Sequence, residues 1–333
     1  NFIKLIKKNM TIGNNKPFFE ILRAGINTTI QDKGRNNLYH LGVTMSGAVD
    51  QKNFKLSNLI LNNLIDEPIV EFAFQGPLLK LHNGKIGVCI TGDVIFDIIR
   101  NNDLIEQGQC YQNYIIHHGD QLDIKSTKNS LYGYLSVKNG FEVEKIWGSS
   151  SINTKANIGP NEGKKFSINQ KIYLNNELNS DFKIRKLKYK NNFKKNIRVI
   201  KGTNFDYFSE KAKNIFFNEN FMVTSLIDRM GIRLKGPKLE NIVSTNIKSE
   251  GLVKGVIQVP ADGNPIMMLA DHGTIGGYPK IATIISADLD NVSQLPPNTE
   301  ITFQEVNLEQ AEELYKSYLK EINKYSKFLN EYN

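Results

Sequence analysis

Hydrophobic positions along the chain fall mostly in short runs of four or five, each bounded by Gly, Pro, Asn or Asp, which predicts a fold built chiefly of strands. Residues 18–22, 86–90, 95–99, 121–124, 197–200, 256–259 and 301–303 are such runs. Helical periodicity is confined to three places. Residues 50–64 open on Asp50 and set Phe54, Leu56, Leu59 and Ile60 on a rough apolar face. Residues 209–217 open on Ser209 as a cap, and 308–329, rich in Glu and Lys, carry Leu308, Ala311, Leu314, Tyr315, Leu319 and Ile322 near helical spacing.

Laid side by side, the two halves repeat a series of features. Gly76-Pro77, Asp93 and Asp120 in the first match Gly236-Pro237, Asp271 and Thr299 in the second. Asp93 and Asp120 are 27 residues apart, Asp271 and Thr299 28; upstream, Gly76 and Asp93 are 17 apart but Gly236 and Asp271 35. The pattern predicts two related β-barrel-like units, the second bearing an inserted hairpin or loop with Gln258, Pro260, Asp262 and Gly263. The expected organisation is a leader over 1–16, a first unit over 17–182, a basic linker over 183–196, a second unit over 197–306 and a terminal helix over 307–333. The leader pairs lysines with a few aliphatics, lacks the apolar core of a signal peptide, and lies around a native start at Met10.

A chain of 333 residues with 40% hydrophobic content can bury two such cores. It has no run of eighteen apolar residues, so no membrane span is expected. Cys89 and Cys110 make neither a disulfide framework nor a zinc set, which points to a reduced, cytoplasmic protein. The net charge of +8 peaks over 183–195, at Lys183, Arg185, Lys186, Lys188, Lys190, Lys194 and Lys195, a stretch that reads as a solvated linker. No RNA-recognition, helix-turn-helix or zinc-finger pattern accompanies it, so no nucleic-acid partner is expected; the field suits carboxylate or phosphate ligands.

Candidate chemistry gathers in the second half. Residues 271–280 read Asp-His-Gly-Thr-Ile-Gly-Gly-Tyr-Pro-Lys. Three glycines in five residues permit positive φ and close approach of backbone N–H groups to an anion; Thr274 adds a hydroxyl, Tyr278 a phenol and Lys280 a mobile cation. The same residues also fit a plain glycine-rich hairpin with Lys280 in solvent. Gln258, alternating with Ile257 and Val259, is either an exposed strand residue or an amide that meets a ligand. Asp228-Arg229 reads equally as a surface ion pair. Residues 28–35, ending on Arg35, and 46–50 are polar and turn-rich without a mechanistic signature of their own. Residues 159–165 are too short for a phosphate loop, the five histidines lack ligand spacing, so no metal is expected, and neither a Gly-x-Ser-x-Gly elbow nor a Met-Lys-Met biotin-carrier motif occurs.

Together these segments resemble the family of allophanate hydrolase subunit 2, also known as the C subunit of 5-oxoprolinase, which includes the carboxyltransferase half of urea carboxylase. The resemblance rests on residues 28–35, 46–50, Asp228-Arg229-Met230-Gly231, Ile257-Gln258-Val259-Pro260 with Asp262-Gly263, and Gly276-Gly277-Tyr278-Pro279-Lys280 through Ser286-Ala287-Asp288, and runs from about 18 to 305. One departure is Gly148-Ser149-Ser150-Ser151, where the family has Gly-Ser-Arg-Ser-Thr.

The resemblance implies a mainly β, cyclophilin-like barrel architecture and a place beside 5-oxoprolinase subunits A and B in an assembly that uses ATP to open 5-oxo-L-proline, a cyclic amide, to L-glutamate. On that reading Gly276, Gly277 and Lys280 stabilise an anionic oxygen, Asp228 or Asp271 moves protons, and Gln258, Thr274, Tyr278, Arg229 and Arg35 contact substrate. An alternative is a biotin-dependent carboxyltransferase acting on urea or a related amide, with Lys280, Tyr278 and Gln258 around the ureido ring of a biotin carried by another chain. A third is a regulatory partner of a kinase-inhibitor protein. The glycine loop and Gln258 have no counterpart in the first half, so the site is expected on the second unit.

Overall fold

The computed structural model describes residues 16–178 and 182–331, so the expected leader, Met10 included, falls almost wholly outside the described residues. Among the described residues, 16–33, 53–178, 182–190 and 325–331 make up one compact unit, and 34–52 with 191–324 another.

The first unit contains strands β1 Phe18–Arg23, β2 Thr29–Gln31, β3 Ile69–Ala73, β4 Leu78–His82, β5 Lys85–Thr91, β6 Val94–Arg100, β7 Asp103–Gln107, β8 Asn113–His117, β9 Gln121–Thr127, β10 Tyr132–Val137 and β11 Lys171–Tyr173. They form a six-stranded sheet, β11-β1-β4-β9-β6-β7, and a five-stranded one, β2-β3-β10-β5-β8. Alternate residues of the first sheet, Phe19 and Ile21, Leu79 and Leu81, Leu122 and Ile124, share one core with Ile86, Val88 and Ile90 of β5 and Leu135 and Val137 of β10. The unbroken apolar run of β5 has a physical reason: its opposite face is covered too. Cys89 belongs to a second cluster with Leu56 and Ile60 of the helix Gln51–Ile60, and with Tyr111 and Leu187. Burial pushes the Cys89 thiol well above its ordinary range, as expected of a small buried hydrophobe.

One sequence expectation changes here, and one departure from the resemblance finds a structural role. The basic stretch is not a solvated linker over its first half: Leu187 is buried, Tyr189 packs on Tyr111 at 4.9 Å, and Arg185 exchanges backbone and side-chain hydrogen bonds with Asn113. The Gly148–Ser151 loop, where the family's arginine is missing, is a fastening. Buried Asp32 accepts from Ser149 Oγ at 2.6 Å, Ser150 N at 2.7 Å and Ser151 Oγ at 2.5 Å.

The second unit contains β12 Asn196–Lys201, β13 Phe221–Ile227, β14 Gly231–Lys235, β15 Glu250–Gly251, β16 Val256–Gln258, β17 Ile266–Met268, β18 Ile275–Gly276, β19 Lys280–Ile284 and β20 Glu300–Glu305. Seven of these close a barrel in the order β12-β19-β16-β17-β14-β13-β20. Closure is made by the one parallel pairing among them, β12 with β20, which sets Asn196 against Thr302 and Val199 against Glu305. Alternate residues are buried along its staves: Ile197 and Val199, Ile232 and Leu234, Ile301 and Phe303. The helix Glu210–Asn218 starts where Ser209 Oγ accepts from Ala212 N at 3.1 Å, and its Phe216 stacks on Phe303 with ring centroids 4.4 Å apart.

The fold is mainly β, as expected, but the sequence repeat does not mark equivalent places. Gly76-Pro77 leads into β4, whereas Gly236-Pro237 follows the end of β14. The segment around Gln258 is no insertion either, since β16 and β17 are staves of the barrel. The terminal helix Leu308–Glu331 is held through Tyr318, whose hydroxyl donates to Asp290 at 2.6 Å. Asp290 also accepts from Gln51 N and Lys52 N at 2.8 and 3.1 Å, so one carboxylate caps one helix and anchors another.

Truncating Phe303→Ala removes a buried ring at the barrel closure and is expected to cost about 3–5 kcal/mol. Leu104→Ala, on the fully exposed strand β7, is expected to stay within about 0.5 kcal/mol. Urea denaturation midpoints of the two variants check the contrast.

Candidate functional site

Lys280 opens β19, and its surroundings decide what it can do. The small ribbon β15–β18 pairs Glu250 with Gly276 and brings the Glu250 carboxylate to the Lys280 ammonium, Oε2 to Nζ 2.6 Å. The lysine side chain is 4% exposed and the glutamate 43%. Asn204, just beyond β12, grips the same residue: its Oδ1 accepts from Lys280 N at 3.1 Å and Nζ at 3.4 Å, and its N–H donates to Lys280 O at 3.2 Å. The approach needs Gly202, whose Cβ would fall 2.2 Å from the Lys280 carbonyl oxygen. Lys280 is thus a buried, oriented cation and not the mobile solvent-facing one the sequence suggested. The hydrogen bond from Lys280, helped by its charge and by Asn204, holds the Glu250 carboxyl below its usual range.

Gln258 lies across from Lys280 at a bulge in the β16–β19 pairing, buried, with Nε2 donating to Tyr278 O at 3.1 Å. The glycines of the loop serve a different purpose from the one expected. None of Gly273, Gly276 and Gly277 has positive φ. A Cβ on Gly276 would meet Gln258 Nε2 and Leu252 Cδ1 at 2.7 Å each, so this glycine lets the ribbon lie on the Gln258 amide. The loop's carbonyls turn to the neighbouring segment: Thr274 O accepts from Leu252 N and Gly277 O from Ile247 N, each at 2.9 Å. Tyr278 remains 39% exposed.

A second constellation surrounds Asp271. Its carboxylate takes Arg229 side-on, Oδ2 to Nε 2.8 Å and Oδ1 to Nη2 3.2 Å, with both residues buried. The same Nη2 donates to Gly47 O at 2.7 Å. Next in the chain, buried His272 has Nδ1 2.6 Å from Gly273 O, which makes Nδ1 the protonated nitrogen. Nε2 is then an acceptor for the Tyr39 hydroxyl 3.2 Å away. Burial lowers the His272 pKa, keeping the ring neutral, and raises that of Tyr39. Tyr39 and Arg35 share an open depression of about 650 Å³ with Asn36, Asn37, His40 and Met45.

The structure therefore gathers Lys280, Gln258, Gly276, Gly277 and Tyr278 at one place, and Asp271 with Arg229 at another. Arg35 is buried beside Tyr39. Asp228 shapes the turn from β13 to β14, its Oδ1 accepting from Met230 N at 2.8 Å and Gly231 N at 3.2 Å. Sequence reasoning missed Glu250, Asn204, His272 and Tyr39. His272 stood inside the glycine-rich segment and Glu250 a few residues before the Gln258 stretch, but neither carried a spacing signal; Asn204 and Tyr39 come from turns without one. Among the described residues no group of three or more His, Cys, Asp or Glu could hold a metal ion, and no helix is long and apolar enough to cross a membrane.

The family model for the carboxyltransferase domain, subdomain A and B, matches residues 41–305. The 5-oxoprolinase C subunit of Haemophilus influenzae is 29% identical over 310 residues, which take in 92% of this chain and 97% of the relative. That of Escherichia coli is 29% identical over 295 residues, 88% and 92% of the two. The urea amidolyase of Lachancea kluyveri is 26% identical over 324 residues, but these are only 17% of that enzyme. Among solved structures, the K. lactis urea amidolyase matches with a TM-score of 0.82 at 26% identity over 97% of this chain. The Kluyveromyces lactis urea carboxylase matches with a TM-score of 0.83 at the same identity and coverage. The chain spans 21% and 31% of those two structures.

Removing one partner of the Lys280–Glu250 pair should be asymmetric. Glu250→Gln leaves a buried ammonium with Asn204 alone and is expected to destabilise toward the low end of about 3–5 kcal/mol; Lys280→Met leaves a half-exposed carboxylate that water solvates, and should cost less. Equal losses, or the reverse order, in denaturant titrations would overturn this account of the pair. His272 gives a pH signature. With the folded pKa lowered, the unfolded chain binds the extra proton first as pH falls, so His272 takes stability away below its ordinary value near 6.5. The stability difference between wild type and His272→Gln should therefore rise with pH up to about 6.5 and be flat above it.

Proposed function

The chain belongs to the carboxyltransferase domain family, subdomains A and B, and from that membership we propose that it is the C subunit of an ATP-dependent 5-oxoprolinase, working with subunits A and B to hydrolyse 5-oxo-L-proline to L-glutamate. One observation carries the reading: the alignment with the Haemophilus influenzae relative takes in 97% of that protein. A cytoplasmic location belongs to the same proposal, in keeping with two cysteines that are both free.

A lactam is a poor electrophile. The assembly has to convert its oxygen into a better acceptor of charge, which phosphorylation by ATP achieves, and then direct water to the carbon. The second unit supplies what such a step needs. Lys280 is a desolvated cation whose partner Glu250 is half-exposed, so the carboxylate can yield to a developing oxyanion and go to solvent at small cost. Gln258, buried under Gly276, holds the Tyr278 carbonyl and so fixes the loop that carries Tyr278 beside Lys280. Asp228 or Asp271 would move protons; Asp271 pairs with Arg229, and neutral His272 next to it is a further group able to accept a proton.

The urea amidolyase and urea carboxylase folds favour one second reading, carboxyl transfer to urea or a related amide from biotin borne on another chain. Biotin would bring the carboxyl group; Lys280, Tyr278 and Gln258 would face its ureido ring, whose donors and acceptors match a glutamine amide.

Purified alone the chain should turn over nothing. Combined with subunits A and B it should couple 5-oxoproline opening to ATP hydrolysis, and Lys280→Met should lower kcat about 10²–10³-fold while the three proteins still co-elute. A trio that assembles but produces no glutamate sinks the primary reading; carboxybiotin-dependent carboxylation of urea by the same preparation would promote the second.

A further inference from the structure

We propose that the outer wall of the barrel binds a free amino acid with an apolar side chain, in a pocket built by a bulge in β13 and the turn that leads into β17. The pocket measures about 270 Å³. At about 30 Å³ per water it holds roughly nine waters, about the bulk of one leucine molecule. Its lining sets one carboxylate, Asp262, beside three cations, Arg233, Lys235 and Lys238, and an apolar wall of Leu226 and Ile266.

The pocket exists because β13 carries more chain than its neighbour. Val223 faces Leu234 and Ile227 faces Ile232, so the steps from 223 to 227 on β13 match only those from 234 to 232 on β14. Thr224 fastens the bulge: its hydroxyl donates to Arg233 O at 2.8 Å and accepts from Leu226 N at 3.2 Å. Leu226 is left 64% exposed. Arg233 and Lys235 alternate with buried Leu234, so both project from the outer face of the barrel. The stem of Lys238 lies over Gly263, where a Cβ would fall 3.2 Å from Lys238 Cβ and 3.3 Å from its Cδ, and where φ is +72°. Asp262 Oδ1 accepts from Asn264 N at 3.0 Å and Oδ2 from Asn264 Nδ2 at 2.9 Å, which orients the carboxylate and leaves each oxygen a lone pair.

These charges share a cavity without pairing. The Asn264 hydrogen bonds, and then the fields of Lys238 and Arg233, hold the Asp262 carboxyl below its ordinary range, so the opposite charges are near one another. Yet among the described residues no ion pair joins Asp262 to Arg233, Lys235 or Lys238, and no other carboxylate pairs with the three cations. A ligand carrying both signs bridges such a gap. Its carboxylate meets the guanidinium fork and the ammonium groups, its own ammonium meets the open lone pairs of Asp262, and its side chain covers Leu226 and Ile266. A plain carboxylate leaves Asp262 as a repulsive neighbour, an amine faces three like charges, and a phosphate leaves the apolar wall wet. None of Lys280, Glu250 and Gln258 lines this pocket, so it is a second ligand site and not an extension of the Lys280 group.

The test is independent of any turnover. Isothermal titration of the full chain with L-leucine, at constant ionic strength and neutral pH, is expected to show saturable binding on the order of millimolar. 4-Methylpentanoate and 3-methylbutylamine, which keep the side chain and one charge each, should bind about tenfold more weakly or worse, and so should glycine. The double variant Arg233→Gln/Lys235→Gln should weaken leucine about tenfold or more. Asp262→Asn, which keeps an oxygen for Asn264 N, should erase the preference for leucine over 4-methylpentanoate. Leu226→Ser, at an exposed position, should weaken leucine several-fold, and it serves as the second readout if the charge variants fold poorly. Lys138→Gln, in the first unit, should leave binding unchanged. Absence of saturable leucine binding, equal binding of 4-methylpentanoate to the wild-type chain, or leucine affinity unaltered in both the Arg233/Lys235 and Leu226 variants would overturn the proposal.

Discussion

The barrel of the second unit depends on one pairing, the parallel contact of β12 with β20, which joins residues about a hundred positions apart in sequence. Every other pairing in the barrel is antiparallel and leaves an open sheet; this one removes the edges. With β12 fixed, β19 lies against it, Val199 facing Ile284, and the turn after β12 brings Gly202 and Asn204 onto the Lys280 backbone. The buried lysine is therefore positioned by closure rather than by its own loop. The Phe216–Phe303 stack reports on both, because Phe303 sits on the closing strand.

A buried ammonium is costly, and the ribbon β15–β18 offsets that cost from one side only. Glu250 arrives from a two-residue strand with its carboxylate partly in water, while Asn204 contributes a neutral oxygen from the barrel. The pair is asymmetric by construction of the fold: the cation is fixed and the anion can leave. Such an arrangement suits a site in which negative charge appears on a ligand, since the ligand then replaces Glu250 and the lysine need not move. A second polarity is built around Asp271, whose charge is consumed by Arg229, leaving neutral His272 as the group nearest Tyr39 able to accept a proton.

Much of this was legible from sequence at the level of elements. Short apolar runs bounded by turn residues located β1, β5, β6, β9, β12, β16 and β20, and Ser209 marked a helix start because side-chain capping is local. The Gly276–Lys280 segment and Gln258 were brought together as one candidate cluster through resemblance and not through spacing. What escaped has one physical cause: it depends on contacts distant in sequence. Gly276 reads as part of an anion-approaching loop or a plain hairpin, yet its lack of a Cβ matters for a glutamine 18 positions upstream. Asp228 beside Arg229 reads as a pair, yet the arginine reaches Asp271 and the aspartate turns to its own backbone. Spacing likewise misled on Gln258, because extra length between two matched features reads as an insertion even where it supplies two staves of a barrel.

The excess positive charge of the chain divides by the same logic into different kinds of cation. In the second unit Lys280 and Arg229 each meet a carboxylate, so the fold neutralises them and gains orientation. In the first unit the Lys138 ammonium donates to the Asn62 carbonyl, and the Asn113 amide holds the backbone of Lys183 and Arg185, so neutral groups fix position there. Composition alone gives +8 for the whole chain; only the partners of each cation separate the buried, carboxylate-paired Lys280 from a lysine such as Lys138 that a backbone carbonyl holds.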